Sequence, residues 1–201
     1  MNFLRYLLKK MFALWQRAPR GTFVARLRTV DDAIPFRMRA GFAGEVTRTH
    51  PASILPFLMN VANPLTLFGQ PVVINTADNT GRFVNNTDAA AAIVGILVRP
   101  FPTQQRTGGD AGSTLGTPGV PQAGAQDMLT SGTILVQLNT GVVAPTKGGT
   151  VFIWIAATSG NHVQGGFETQ ANGGNTVQLD AKSYYNGPAD ANGLVEICFN
   201  L

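Results

Sequence analysis

The chain of 201 residues has room for one domain of ordinary size and an appendage. Apolar residues make up 44% of it and charged residues 13%, about half the usual charged share, which excludes a coiled coil, a collagen and a highly charged disordered chain. One cysteine, Cys198, excludes an internal disulfide framework, and two histidines leave a Cys/His zinc site short of ligands, so no metal or other cofactor is expected.

The net charge of +4 is unevenly placed. Residues 1–40 hold nine Lys or Arg against Asp31 and Asp32, a net of +7, whereas the other 161 residues hold six basic and nine acidic groups, a net of −3. Any electrostatic partner therefore belongs to the N-terminal fifth. Within it, Leu4, Leu7, Leu8, Met11, Leu14 and Trp15 recur with helical spacing and predict an amphipathic helix over residues 2–17, with Arg5, Lys9, Lys10 and Arg17 mostly off the apolar stripe. Pro19 and Gly21 end the pattern. The longest uninterrupted apolar run, Met11 to Trp15, is shorter than a secretory signal or a spanning helix requires. Such a stripe packs on a protein surface or lies on a membrane surface. Residues 18–36, with Phe23, Ala25 and Leu27 alternating against Val24, Arg26 and Arg28 and with Pro35 near the end, read as an extended arm.

From residue 41 onward the pattern changes to short β-rich runs separated by Gly, Asn, Asp and Pro. The predicted strands are Pro71–Asn75, Arg82–Val84, Ile93–Arg99, Thr133–Leu138, Val151–Ala156, Val177–Leu179 and Leu194–Phe199. Thr133–Leu138 and Val151–Ala156 are nearly continuous in apolar residues, as in strands covered on both faces, and belong at the centre of a packed sheet. Gly148, Gly173 and Gly193 lie in turns just ahead of strands, where a positive φ is expected. The architecture this predicts is all-β: a jelly-roll-like sandwich or barrel over residues 37–201, preceded by the helix and arm of residues 1–36. A doubly wound α/β fold would need helices between strands, and only Asp88–Ala92 hints at one. Residues 103–126 are rich in Gly and Pro with few bulky apolar groups and form an expected long loop, ordered by contact in an assembly or flexible in a free monomer.

No catalytic constellation is legible. His50 and His162 both stand in turn-like settings without a G-x-S-x-G, an HExxH or a cysteine at a helix start around them. Cys198 alternates as a strand residue and reads as a small buried hydrophobe. The carboxylates Asp78, Asp88, Asp110, Asp127, Glu168, Asp180, Asp190 and Glu196 are scattered through turn-like sequence, and nothing pairs any two of them. The glycine spacing Gly109, Gly112, Gly116 lacks the Lys-Ser/Thr end and the strand-to-helix setting of a phosphate loop. The basic residues of 1–40 are interleaved with an apolar stripe rather than clustered, and no nucleic-acid signature accompanies them.

Five phrases, in order, do spell a pattern: Arg37-Met38-Arg39-Ala40-Gly41-Phe42-Ala43-Gly44-Glu45-Val46-Thr47-Arg48; Phe68-Gly69-Gln70-Pro71-Val72-Val73-Ile74; Gly95-Ile96-Leu97-Val98-Arg99-Pro100-Phe101-Pro102-Thr103-Gln104; Lys147-Gly148-Gly149 with Val151-Phe152; and the ending from Gly187 to Leu201. Together they resemble the tailed-bacteriophage capsid cement (decoration) proteins from about residue 37 to the C-terminus. The resemblance implies a jelly-roll-like body outside the shell of a major capsid protein, locking neighbouring capsomers and having no catalytic role. It implies location on the outer surface of the virion capsid, after assembly in the host cytoplasm. It does not cover residues 1–36.

The partners expected are accordingly the major capsid protein and further copies of the chain, as a dimer or trimer. No small-molecule substrate and no nucleic acid are expected, and a membrane is the less favoured surface. The residues expected to grip a capsid protein or sister subunit are Leu4, Arg5, Leu7, Leu8, Lys9, Lys10, Met11, Leu14 and Trp15, with Trp15 as the anchor. The alternative from another class is a membrane-surface or glycan-binding β module that uses the same basic helix, with Trp154 on an exposed face.

Overall fold

A computed structural model describes residues 41–47, 51–100 and 119–200; the helix and arm expected over residues 1–36 lie outside them. The described residues form ten strands: β1 (Ser53–Met59), β2 (Pro71–Asn75), β3 (Thr80–Arg82), β4 (Ile93–Leu97), β5 (Ala125–Gln137), β6 (Phe152–Trp154), β7 (Phe167–Glu168), β8 (Thr176–Gln178), β9 (Tyr184–Tyr185) and β10 (Leu194–Asn200). The helix hinted at Asp88–Ala92 is a single 3-10 turn, Ala90–Ala92.

Strands β1, β3, β2, β4 and β5 are hydrogen-bonded in that order, and β5 also pairs with β1, so the five close into a barrel. All of its pairings are antiparallel except β1 with β3. Strand β5 is shared property. Its first half closes the barrel along β1, from Ala125 opposite Leu58 to Ser131 opposite Ser53, and its second half, from Ser131 to Gln137, pairs with β10. Gly132 sits at this handover with φ +138°, where a Cβ would stand 3.2 Å from the Cβ of Ala52. A side chain there would obstruct the change of partner. Strand β9 extends the sheet beyond β10, and β7, β6 and β8 make a separate three-stranded sheet with β6 in the middle. The expected sandwich or barrel is thus a five-stranded barrel with an extended wall and a second sheet.

Alternation along each strand divides the apolar residues between two cores. Phe57 and Met59 of β1, Val72 of β2, Leu97 of β4 and Met128 of β5 fill the barrel interior, with Leu65 and Val120 from the connections. A Cβ at Gly81 of β3 would collide with the Cδ2–Cε2 edge of the Phe57 ring, so a glycine there makes room for that side chain. The neighbouring residues Val73, Ile96 and Leu129 point the other way. They join Ile134 and Val136 of β5, Val195, Ile197 and Phe199 of β10, and Ile153 and Phe167 of the small sheet in the larger core. The small sheet therefore packs over one side of the barrel and its extension.

Strand β2 has the predicted bounds, and β4, β6, β8 and β10 fall within two residues of theirs. The strand expected at Arg82–Val84 begins two residues earlier, at Thr80, because Gly81 and Arg82 pair with Ile74 and Val73. The long loop expected to run to residue 126 gives way to β5 at Ala125, and Val120 is buried in the barrel core. Residues 101–118 of that loop lie outside the described residues. Strands β1, β7 and β9 were not expected. The three anticipated turns have the expected backbone: φ is +80° at Gly148, +50° at Gly173 and +77° at Gly193.

Candidate interaction surface

The five sequence phrases gather along one wall. Gly44 of the first phrase donates its N–H to Leu135 O of β5 at 2.8 Å and accepts from Arg99 N, in the third phrase, at 2.8 Å. A Cβ on Gly44 would lie 2.9 Å from the nitrogen of Gly69, in the second phrase, and φ at Gly44 is +84°, so both space and conformation demand glycine. Gly69 in turn donates to Leu97 O at 2.9 Å. The fourth phrase joins through Gly148 N to Tyr185 O at 2.7 Å and Tyr185 N to Gly149 O at 3.0 Å. The fifth joins the first through a buried carboxylate. Glu196 of β10 accepts from Thr47 Oγ1 at 2.5 Å and from Asn186 Nδ2 at 2.6 Å. What the phrases encode is the crossing of several segments over β5 and β10.

A second polar cluster underlies the loop between β6 and β7. The buried Glu168 carboxylate accepts from Asn139 Nδ2 at 2.6 Å and lies 2.7 Å from His162 Nδ1. The imidazole stacks on Trp154, with ring centroids 4.3 Å apart and planes 14° apart. Asn139 also receives the Val163 N–H at 3.1 Å, and Tyr185 Oη donates to Glu168 O at 2.8 Å. Burial, with the Glu168 charge behind it, pushes the Tyr185 phenol well above its ordinary value. An imidazole and a carboxylate make two parts of an acid–base relay, and here both are engaged within the cluster, the carboxylate with Asn139 and the imidazole against Trp154. Cys198 is placed elsewhere, across from Tyr184 and Thr133 on the outer side of β10. Among the described residues no three His, Cys, Asp or Glu side chains come together as a metal site. The cluster's evident work is to pin the loop carrying Ser159 to Gly166 onto the sheet.

Three further acids serve their own turns, as Asp does in such sequence. Asp78 accepts from Thr80, Asp180 from Lys182 N, and Asp190 from Asn192 N and Leu194 N. Asp88 does more, because it meets Arg82 at 2.7 and 2.8 Å in a two-pronged ion pair and accepts from Asn85 N at 2.6 Å. Burial pushes the Asp88 carboxyl up, but the hydrogen bonds from Arg82 and Asn85 and the guanidinium charge outweigh it, so the net shift is down.

Several large apolar side chains stand exposed, among them Leu55, Val61, Leu67 and Val143, and two places stand out. Phe42 is 57% exposed, with the Arg99 guanidinium 4.1 Å above its ring centroid. On β1, Ile54 is 44% and Leu58 56% exposed, both on the outer face of the barrel. Trp154, expected on an exposed face in the glycan-binding alternative, is only 5% exposed, because His162 covers its ring and Ala157 O takes its indole N–H at 3.3 Å. His162 stands in a loop as expected but is tied to a buried acid, and Cys198 is half-buried rather than buried. His50 and the predicted gripping residues Leu4, Arg5, Leu7, Leu8, Lys9, Lys10, Met11, Leu14 and Trp15 lie outside the described residues. The cluster of Asn139, Trp154, His162 and Glu168 had no sequence signal, since its members come from four separate segments. The exposed residues of β1 had one, in the apolar run Ile54-Leu55-Pro56-Phe57-Leu58-Met59.

A search of curated proteins found no match to the chain. Among solved structures, a chain from "The capsid of Myoviridae Phage XM1" shares its fold, with a TM-score of 0.59 and 18% identity over 84% of this chain and 96% of that one. The family model described as XM1 gp53 minor capsid protein matches residues 32–199, which takes in all ten strands except Asn200, the last residue of β10. The chain belongs to the XM1 gp53 minor capsid protein family and is a tailed-phage capsid-associated structural protein.

Proposed function

We propose that the protein is a capsid cement: a homo-oligomer that binds the outside of a tailed-phage head and locks neighbouring capsomers of the major capsid protein together. The observation that carries this reading is the family match over residues 32–199, to proteins described as minor capsid components. The chemistry of the described residues is in keeping with it. Most of their acids are committed to turns, an ion pair and loop anchoring, while apolar side chains stand exposed on the barrel, as suits a protein that works by surface burial. A shell repeats its binding sites, so modest affinity at each contact becomes strong retention when an oligomer engages several at once.

In this reading the N-terminal helix and arm act as a clamp. The stripe Leu4, Leu7, Leu8, Met11, Leu14 and Trp15, flanked by Arg5, Lys9 and Lys10, grips an adjacent subunit or capsid protein. The test is co-sedimentation of the purified protein with undecorated capsids, with anionic vesicles and bare DNA in parallel. Saturable pelleting with capsids alone is the expected result. Pelleting with vesicles or DNA and not with capsids would overturn the reading. Deleting residues 2–20 should lower occupancy on capsids or the heat resistance of decorated capsids, and an unchanged result would remove the clamp.

A further inference from the structure

Strand β1 is apolar on both faces, Ser53-Ile54-Leu55-Pro56-Phe57-Leu58-Met59, a composition suited to strands covered from both sides. One side is covered only over the second half of the strand, since Leu55, on the same face as Phe57 and Met59, is itself 49% exposed. Phe57 and Met59 enter the barrel core, while Ile54 and Leu58 stand open on the outside with Pro56 between them. On β2, β4 and the middle of β5 the outer face is closed over by the larger core, through Val73, Ile96 and Leu129. The exposed row is bordered by carboxylates. Exposed Asp127 is the register partner of Pro56, and Asp78 bonds Thr80, the register partner of Leu58.

We propose that residues 2–17 of one copy of this chain lie along the outer face of β1 of a neighbouring copy. This deepens the clamp reading and rests on it. Three observations select this occupant. As a helix, the stripe from Leu4 to Trp15 would run ~17 Å, and the exposed row from Ile54 to Leu58 spans ~13 Å, so the stripe is long enough to cover the row from end to end. The charges are complementary, with Arg5, Lys9, Lys10 and Arg17 in the segment and Asp127 and Asp78 beside the row. The connecting residues 18–36, fully extended, reach up to about 65 Å, enough to arrive at another copy.

The test uses full-length protein with Cys198→Ser, so that introduced cysteines are the sole thiols. One tagged population carries Leu8→Cys and a second, differently tagged and co-expressed, carries Leu58→Cys; any bond between the two is intermolecular. The expected result on mild oxidation is a mixed dimer in at least tenfold excess over either like-with-like dimer, lost when the Leu58→Cys chain also carries Ile54→Asp. Unchanged thermal melting of that variant, whose altered side chain is exposed, shows that the fold is kept. A single chain carrying both cysteines that closes on itself at high dilution, with no mixed dimer, would overturn the exchange between copies. Absence of any bond to position 58, together with weakened capsid retention on deletion of residues 2–20, would overturn the docking site and leave the clamp standing. Unchanged retention on that deletion would overturn both.

Discussion

Strands β1 and β10 invite direct comparison, because both have seven residues and both run antiparallel to β5, one on each half of it. Each sends alternate residues into a core: Phe57 and Met59 from β1, and Val195, Ile197 and Phe199 from β10. The opposite faces differ in kind. That of β10 is polar and satisfied, with Glu196 held by Thr47 and Asn186 and with Asn200 receiving Ser131 Oγ at 3.1 Å. That of β1 is apolar and open. The outer side of β10 is finished by bonds within the described residues, whereas the outer side of β1 has the composition of a strand whose second cover comes from outside the described fold.

The largest effect that tests this contrast lies inside the barrel. Phe57→Ala removes the ring that fills the space over Gly81 and should cost about 3–5 kcal/mol of stability, read as a fall in denaturant midpoint with unchanged slope. The equivalent test of the outer side of β10 is Glu196→Gln. It keeps the shape but leaves an amide with one acceptor oxygen where a charged carboxylate now receives both Thr47 Oγ1 and Asn186 Nδ2, and should cost about 1–3 kcal/mol. Equal effects of Glu196→Gln and of a polar substitution at Leu58 would show that the two outer faces do not differ as argued.

The same two strands show what could be read in the sequence and what could not. Strand β10 was legible because Val195, Ile197 and Phe199 alternate with more polar neighbours behind the turn at Asn192-Gly193. Strand β1 was not. It lacks alternation, and Pro56 in its middle argues against a strand. The structure resolves the objection. Met59 N–H donates toward β5, to Gly124 O at 2.9 Å, so alternation turns the Pro56 nitrogen to the opposite edge, where the pairing to β3 is confined to Leu58 and Met59. No ladder bond is lost. The start of β5 was hidden for a related reason, since Ala125 and Gln126 close the Gly/Pro-rich stretch and become strand only by pairing with Leu58 and Phe57. The motif phrases were legible as sequence, but that they meet at Gly44, Gly69 and Glu196 depends on chain crossings that no local pattern reports.

Titration should separate the two sides further. The Arg82–Asp88 ion pair lies at the end of β3, beside β1, and the Asp88 carboxyl is held below its ordinary value. Its stabilising contribution is present above the unfolded carboxylate value of about 3.9 and is lost as pH falls through the lower folded value. Asp88→Asn should therefore flatten the decline of stability below about pH 4. Tyr185, paired with Ile197 of β10, is raised. Its contribution is full below about pH 10 and is lost as pH rises beyond that. Tyr185→Phe should flatten the alkaline decline and leave the acid limb unchanged; phenolate absorbance against pH gives the independent check.

The smallest expected change in stability is the one that bears most on function. Leu58→Ser on the open face of β1 removes apolar surface that the fold has not buried, so stability should move by no more than about 0.5 kcal/mol. A fall of several kcal/mol would mean that Leu58 is packed within the chain, and β1 would then differ little from β10. With the melting curve unchanged, any loss of self-association or of capsid retention belongs to the contact made by that face and not to the fold. Because the residues bordering it include Asp127, the loss should grow on adding Asp127→Asn at low salt and the increment should shrink at high salt. An increment independent of salt would leave apolar burial as the source of the contact and remove the carboxylates from the choice of partner.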